Sequence, residues 1–154
     1  YSGWRASELI KLELSKVNLE EQTFRGGSKT NAGKDRIVPI HHLIYPLVEK
    51  HYREAKRLNS PRLFNIQTFV EGDFSFIYYE LYARQFKVII NRLALDPRHH
   101  THDCRKTFVT MAKRANVDEY AIKRIIGHQI ADLTERVYTD RSIDWLRSEI
   151  EKIH

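Results

Sequence analysis

Apolar residues recur at helical spacing over most of this chain. The clearest runs cover residues 41–59, 76–95 and 102–126, and a shorter amphipathic run from Ser142 to Ile153 follows. Because residues three and four apart share one face of a helix, each run is predicted to be a helix with one buried side. An opening helix is predicted to begin at Ser2 or Gly3. The residues expected to face inward are Trp4, Leu9, Ile10, Leu12, Leu43, Ile44, Leu47, Val48, Tyr52, Phe86, Ile89, Ile90, Leu93, Ile143, Leu146, Ile150 and Ile153.

Two regions break this helical pattern. Thr23 to Phe24 and Arg36 to Ile40 carry strand-forming residues on either side of a segment rich in Ser, Asn and Gly, which predicts a β-hairpin. Residues 60–73, which include Pro61 and Gly72, are predicted to form a loop. The predicted fold class is therefore mainly α with a small antiparallel β-sheet (α+β).

Composition narrows the class of protein. A length of 154 residues with 42% hydrophobic content is enough for one compact domain with a real core. The single cysteine, Cys104, excludes an internal disulfide framework, and no apolar run approaches membrane-spanning length. A soluble, cytoplasmic protein is expected. The formal net charge of +6 favours a polyanionic partner, with a mildly basic solvated surface as the alternative.

One stretch near the C-terminal end concentrates residues with catalytic potential. His102 and Arg105 stand three apart at the start of an apolar-periodic run, so they are predicted to share one helical face. Gly127 supplies a helix stop, and His128 follows it in the connection. Ten residues later comes Tyr138, and tyrosine can act as a covalent nucleophile when neighbours manage its proton.

The N-terminal half contributes further cations. Arg5 is predicted to lie in the first turn of the opening helix, where Glu8 can hold its guanidinium group. An ordinary surface ion pair is the alternative. The hairpin tip carries Lys29, followed by Lys34 and Arg36, and a basic hairpin suits a phosphate-lined groove. A solvated turn is the alternative there.

Taken together, these residues resemble the catalytic signature of the tyrosine recombinase (phage integrase) family. The opening GWRASEL is similar to the family's Gly-x-Arg-x-Ser-Glu-Leu box, and the hairpin has an Arg-x-x-Pro ending like the family's. His-x-x-Arg, Gly-His and Tyr then follow in the family's order. The resemblance favours Lys29 over Lys34 as the catalytic lysine. The implied catalytic residues are Arg5, Lys29, His102, Arg105, His128 and Tyr138, with Glu8 in support.

The chemistry of a phosphodiester explains why such a set is needed. Negative charge gathers on the non-bridging oxygens in the transition state, and Arg5 and Arg105 are always protonated planar donors that can stabilise it. Tyr138 has an unperturbed pKa of about 10, so it needs a base or a cationic site. The resemblance implies His102 as the base or proton carrier and Lys29 as the general acid for the departing 5′ oxygen. It also implies that His128 donates a hydrogen bond to a phosphate oxygen.

The resemblance implies site-specific DNA recombination through a 3′-phosphotyrosyl intermediate, without ATP, cofactor or metal. Double-stranded DNA is the implied partner, on which the whole protein forms a homotetramer, and accessory DNA-bending proteins are possible additional partners. Because the chain opens on Tyr1 without an initiator Met, residues 1–154 are expected to be a catalytic domain that lacks its N-terminal DNA-binding domain. Such a fragment should be monomeric or weakly associating. Further DNA contacts are expected from Lys34, Arg36, Thr101 and Lys106.

Several alternatives stay open at this point. His99, His100, His102 and Cys104 are potential zinc ligands, but they crowd into six residues without a second ligand pair at a usual spacing. A type IB topoisomerase carries a closely similar set, although a longer linker region and a larger chain would be expected. A catalytically inactive DNA-binding module is disfavoured because all six positions are filled, and a metal-dependent nuclease because carboxylates are not clustered. The tail stripe of apolar residues is predicted to pack on a neighbouring subunit, with intramolecular docking as the alternative.

Overall fold

The computed structural model describes residues 1–28, 30–68, 70, 72–131 and 142–154. Within these ranges the predicted fold class, mainly α with small antiparallel sheets, is confirmed. No helix in the same ranges is long and apolar enough to cross a membrane. The helices are α1 (Ala6–Leu9), α2 (Tyr45–Arg57), α3 (Tyr79–Arg92), α4 (Asp103–Arg114), α5 (Glu119–Ile126) and α6 (Ile143–Ile150). The strands are β1 (Val17–Asn18), β2 (Thr23–Gly26), β3 (Arg36–Pro39), β4 (Asn65–Gln67) and β5 (Phe74–Phe76).

The predicted hairpin is present and forms part of a three-stranded antiparallel sheet with the order β1-β2-β3. Phe24 pairs with Val38, and both side chains are buried, so the register places one face of the hairpin in the core. The connection from β2 to β3 includes a 3₁₀ turn, Asn31–Gly33. The hydroxyl of Thr30 caps this turn by accepting a hydrogen bond from the backbone N–H of Gly33 at 3.2 Å.

Helix α6 packs within its own chain, against β3 and α5. Its residues Leu146 and Ile150 are buried, as is Ile153 just beyond it. The fully buried His41 fastens this end of the chain, because its Nε2 lies 2.9 Å from the carbonyl oxygen of Ile153 and its Nδ1 accepts from the backbone N–H of Leu43. The prediction that the apolar stripe of the tail packs on a neighbouring subunit was therefore wrong, since the same chain already covers it.

Several predicted boundaries and faces differ in the structure. Residues 60–73, predicted to be a loop, contain strand β4, which pairs with β5 in a second, two-stranded sheet. The predicted opening helix is reduced to the single turn of α1. The inward assignments also fail in part: Leu43, Leu47, Ile89 and Leu93 are exposed, whereas Val48 and Ile90 on the same two predicted helices are buried.

The apolar run after His102 is divided into two helices. Asn116 adopts a left-handed backbone conformation (φ 55°) between α4 and α5, which interrupts the helical hydrogen bonding. Asp118 then starts α5 by accepting hydrogen bonds from the backbone N–H groups of Tyr120 and Ala121. The break turns α5 so that its C-terminal end meets the hairpin.

Removing core volume from α6 tests its position. Ile150→Ala should lower the free energy of unfolding by about 2–5 kcal/mol, because a fully buried side chain leaves a cavity. The control Leu47→Ala, at a position 60% exposed, should change it by less than about 0.5 kcal/mol. Denaturant unfolding followed by circular dichroism measures both. Equal, small losses would mean that α6 is not docked on its own domain.

Candidate active site

The candidate site is built around the C-terminal end of α5, here called the α5 terminus (Ile125, Ile126, Gly127 and His128). Gly127 has the left-handed conformation (φ 67°, ψ 44°) that commonly ends a helix. Its N–H bonds to the carbonyl of Arg124, and the N–H of His128 bonds to that of Lys123. This is the Schellman pattern, and it turns the chain so that His128 leaves the helix at a defined angle.

Three consecutive carbonyl oxygens of the α5 terminus each accept a hydrogen bond from a different segment. Nε of Arg36, on β3, donates to Ile125 O at 2.9 Å, and Nη2 of Arg105, on α4, donates to Ile126 O. The hydroxyl of Thr30, at the hairpin tip, donates to Gly127 O at 3.2 Å. Cations are favoured at a helix C-terminus, where the macrodipole is negative. These bonds connect the hairpin and α4 to one point.

Arg105 is a buried guanidinium group, 5% exposed. Besides Ile126 O, it binds the carbonyl of Gly3 at 2.7 Å through Nη1. Burial, together with the nearby charges of Arg5 and Arg36, lowers the pKa of Arg105 to about 10, so the group stays protonated at neutral pH. The two backbone bonds fix the plane of the guanidinium group against the N-terminal segment.

Glu8 carries a carboxylate between two arginines. Its Oε1 lies 3.3 Å from Nη1 of Arg5, and its Oε2 accepts from Nη2 of Arg36 at 3.1 Å. The backbone N–H of Ser28 also donates to Oε1. Burial alone would raise the pKa of Glu8, but its bonds to Arg36 and Ser28 and the charge of Arg5 lower it overall. The predicted pairing of Arg5 with Glu8 is present, although Arg5 lies just before α1 and not in its first turn.

Arg5 lies where two depressions of the surface meet. The larger is an open cleft of about 1040 Å³, lined among others by Thr30, Arg36 and His128. The smaller is lined by Arg5 together with Tyr79, Thr101 and His102. Arg5 lines both, so its guanidinium group lies between the segment that carries His102 and the one that carries His128.

The two candidate histidines are exposed. His102 comes directly before α4, where its carbonyl accepts the backbone N–H of Arg105. Partial burial lowers the pKa of His102, and the charges of Arg105 and Lys106 add to the effect. The pKa of His128 is also lowered, by partial burial and by the charges of Arg105 and Arg5. Both rings therefore favour the neutral form at pH 7, in which one ring nitrogen can accept a proton.

Arg5 and His128 thus line one cleft, with Glu8 paired to Arg5 and Arg105 bonded to the α5 terminus, while His102 lines the second depression that Arg5 borders. Lys29 and Tyr138 lie outside the described residues. Two of the expected DNA contacts need correction, because Arg36 is buried in bonds to protein groups and Thr101 is buried, with its hydroxyl 2.8 Å from that of Tyr79. The other two are exposed: Lys34, and Lys106, which pairs with Asp103 at 3.1 Å.

Sequence reasoning missed the part played by the hairpin in building the site. Arg36 and Val38 share the buried face of β3, whereas Ile37 between them is 45% exposed. The Arg-x-x-Pro ending was noted for its likeness to a family pattern, but nothing in residue type indicates that the arginine faces inward and the isoleucine outward. Thr30 and its bond to Gly127 O were not predicted either.

The potential zinc ligands do not converge in the described parts of the chain. The rings of His99 and His100 turn toward the carboxylate of Asp103, at 3.3 and 3.6 Å, and Cys104 is exposed. In the same described ranges, His41, His42 and Glu151 are the group whose possible ligand atoms approach within 4.8 Å of one another. Both ring nitrogens of His41 are already engaged with backbone groups, as described above.

The sequence model described as the phage integrase family matches residues 1–143. The chain belongs to this family. The resemblance to this family that the sequence suggested is therefore confirmed.

Relatives place the matched region within longer proteins. Tyrosine recombinase XerA of Pyrococcus horikoshii is 30% identical over 158 aligned residues, which cover 98% of this chain and 50% of XerA. The integrase of mycobacterium phage Brujita has a TM-score of 0.72 at 18% identity, covering 99% of this chain and 48% of that one. The Tn1549 transposon integrase, solved in complex with circular intermediate DNA, has a TM-score of 0.63 at 20% identity, covering 97% and 54%. The chain spans about half the length of the relatives it matches.

Gly127 provides a sharp test of how the α5 terminus meets the hairpin. A Cβ at Gly127 would lie 2.7 Å from the Cα of Gly33, whereas one at Gly72 would meet nothing within 4 Å. Both glycines have positive φ (67° and 80°), so Gly72→Ala is a control for backbone strain alone. Gly127→Ala should therefore lose about 1–3 kcal/mol more of the free energy of unfolding than the control, because the hairpin backbone must move. Comparable losses in denaturant unfolding would contradict the close contact.

Proposed function

We propose that this chain forms the catalytic part of a tyrosine site-specific recombinase, which cuts and rejoins DNA strands through a covalent tyrosine intermediate. The observation that carries the proposal is that Arg5 and His128 line one cleft in a phage integrase family member, next to the buried Arg105 guanidinium group that holds the α5 terminus. A cation on a solvated surface would not require the two backbone carbonyls that anchor Arg105 or the carboxylate that holds Arg5. The named recombinases among the relatives favour this reading over a topoisomerase or an inactive DNA-binding module.

In the proposed reaction the arginines bind the scissile phosphate. Each Nη nitrogen of Arg105 that bonds a backbone carbonyl carries a second N–H, which suits a non-bridging oxygen of the phosphate. Arg5, which lines the cleft and is held by Glu8, would bind the same phosphate. Such donors matter most in the transition state, when charge on those oxygens is greatest. The exposed ring of His128 is proposed to add one further hydrogen bond.

Proton transfers complete the proposed step. The phenolic oxygen of Tyr138 attacks phosphorus while its proton passes to neutral His102, and the bond from phosphorus to the 5′ oxygen breaks. Lys29 is proposed to donate the proton that the departing 5′ oxygen needs. Attack by another strand's 5′ hydroxyl on the phosphotyrosine then reverses these events and restores Tyr138. The bond energy is conserved, so the cycle needs no ATP, and the arginines and the lysine supply the positive charge that a metal would otherwise bring.

The proposed partner is double-stranded DNA, which agrees with the net charge of +6. A fold neighbour, the Tn1549 transposon integrase, has been solved with DNA. Because the chain spans about half of its relatives, we propose that it works with an N-terminal DNA-binding domain and as a homotetramer on DNA, in the cytoplasm. Accessory DNA-bending proteins would be additional partners.

Covalent trapping tests the proposed nucleophile. Cleavage of a nicked duplex releases a short strand, so a 3′-phosphotyrosyl adduct accumulates. When the target region is randomised, the DNA in the adduct reveals the preferred site. Tyr138→Phe should abolish the adduct because the nucleophile is removed, whereas the control Tyr52→Phe on α2 should not. The adduct should also form in excess chelator. Gel shift of denatured protein and peptide mapping measure it; an adduct surviving Tyr138→Phe would refute the assignment.

Changing the leaving group separates the proposed role of Lys29 as general acid from the proposed role of the arginines in binding phosphate. Replacing the bridging 5′ oxygen with sulfur makes the leaving group a much weaker base, which departs without protonation. Lys29→Ala should therefore recover its cleavage rate strongly on the sulfur substrate, whereas Arg5→Ala should remain slower by about 10²–10³ on both substrates. Single-turnover cleavage rates measure this. Recovery by Lys34→Ala in place of Lys29→Ala would move the general acid to Lys34.

A further inference from the structure

Arg36 joins three segments of the site through one hydrogen bond from each nitrogen of its guanidinium group. Nε donates to Ile125 O at 2.9 Å, Nη1 to Gly33 O at 3.0 Å, and Nη2 to the Glu8 carboxylate at 3.1 Å. The face of the group lies over the Trp4 ring, with Cζ 4.1 Å from the ring centroid. Each of the three nitrogens is thus engaged with a protein oxygen. These bonds and the Trp4 ring fix the group among protein atoms, although one N–H on each Nη nitrogen is not used by them.

Glu8 links this buried arginine to the catalytic one. The Glu8 side chain is 5% exposed, and its contact with Arg36 (3.1 Å) is shorter than its contact with Arg5 (3.3 Å). A buried carboxylate that loses a cationic partner is left with part of its charge uncompensated, so its position is no longer fixed by that partner. Without Arg36, Glu8 would therefore lose the shorter of these two contacts, and the Arg5 guanidinium group that it holds would shift with it.

We propose that Arg36 is a positioning residue, which holds Glu8 so that Arg5 faces the scissile phosphate. This inference rests on the proposed function, because Arg36 would act through Glu8 on Arg5, which is proposed to bind the phosphate. It replaces the earlier expectation that Arg36 contacts DNA. The same guanidinium group also holds Ile125 O, so the position of Arg5 is tied to the segment that carries His128.

The conservative variant decides between positioning and DNA contact. Arg36→Lys keeps the charge but cannot reproduce a three-nitrogen fork. If Arg36 positions Arg5, both Arg36→Lys and Arg36→Met should lower the cleavage rate at saturating DNA by about 10², comparable to losing one clamp donor, with DNA affinity nearly unchanged. Arg53→Met is the control, since Arg53 is 76% exposed and pairs only at the surface of α2 with Glu49. A normal rate with Arg36→Lys, or weaker binding with a smaller salt dependence, would overturn the proposal.

A double mutant tests the route through Glu8 and avoids a buried unpaired charge. Combining Arg36→Met with Glu8→Gln removes both members of the pair. If Arg36 acts through Glu8, the double mutant should be no slower than the slower single mutant; independent effects would multiply and would overturn the route. The sulfur substrate adds a second condition: Arg36→Met should not recover on it, because the clamp and not the general acid is affected. Recovery would also overturn the route.

Arginine resonances give a readout that does not depend on cleavage. In ¹⁵N spectra of the folded chain, the Nε–H signal of Arg5, assigned by Arg5→Lys, should shift in Arg36→Met and in Arg36→Lys but not in Arg53→Met. An unmoved Arg5 signal would overturn the proposal whatever the activity. Conversely, a wild-type chain that forms no tyrosine adduct while its Arg5 signal moves as expected would refute the proposed function and leave the positioning role standing.

Discussion

The site depends on how the last carbonyls of one short helix are satisfied. A helix leaves its final C=O groups without intrahelical partners, and in α5 three consecutive ones bind Arg36, Arg105 and Thr30. Those residues come from the β2-β3 hairpin and from α4, two segments far apart in sequence. The same helix end carries His128. One local requirement of backbone chemistry therefore brings the separate parts of the proposed active site to a common point.

The arginines around Glu8 favour a bound phosphate, but burying them is unfavourable. In the described part of the chain, Glu8 pairs with Arg5 and Arg36, and the positive charges of Arg5 and Arg36 also act on Arg105. Burying guanidinium groups is unfavourable, as the lowered pKa of Arg105 reflects. Backbone carbonyls at the negative end of α5 and the Trp4 ring offset part of that cost. A bound phosphate would offset more of it, which is how a preorganised site favours a charged transition state.

The C-terminal end of the chain also holds α5 in place. Helix α6 covers β3 and α5, and the carboxylate of Glu149 accepts the backbone N–H of Asp118 at the start of α5. His41 holds the carbonyl of Ile153 just past α6. Both ends of α5 are thus held by groups outside that helix, which keeps the direction of its C-terminal end, and so of His128, constant.

Much of the fold and most of the site types could be predicted from the sequence. Helical periodicity located α2, α3, α6 and the run that holds α4 and α5, strand-forming residues located the hairpin, and the resemblance to the family selected Arg5, Glu8, Arg105 and His128, because these signals depend on neighbours along the chain. Tertiary structure alone decided the rest. Strand register turned Arg36 inward and Ile37 outward, against their polarity, because a buried carboxylate and a helix end lie on that side. Likewise, only packing determined that α6 docks on its own domain, since an amphipathic pattern shows that a face is covered but not by what.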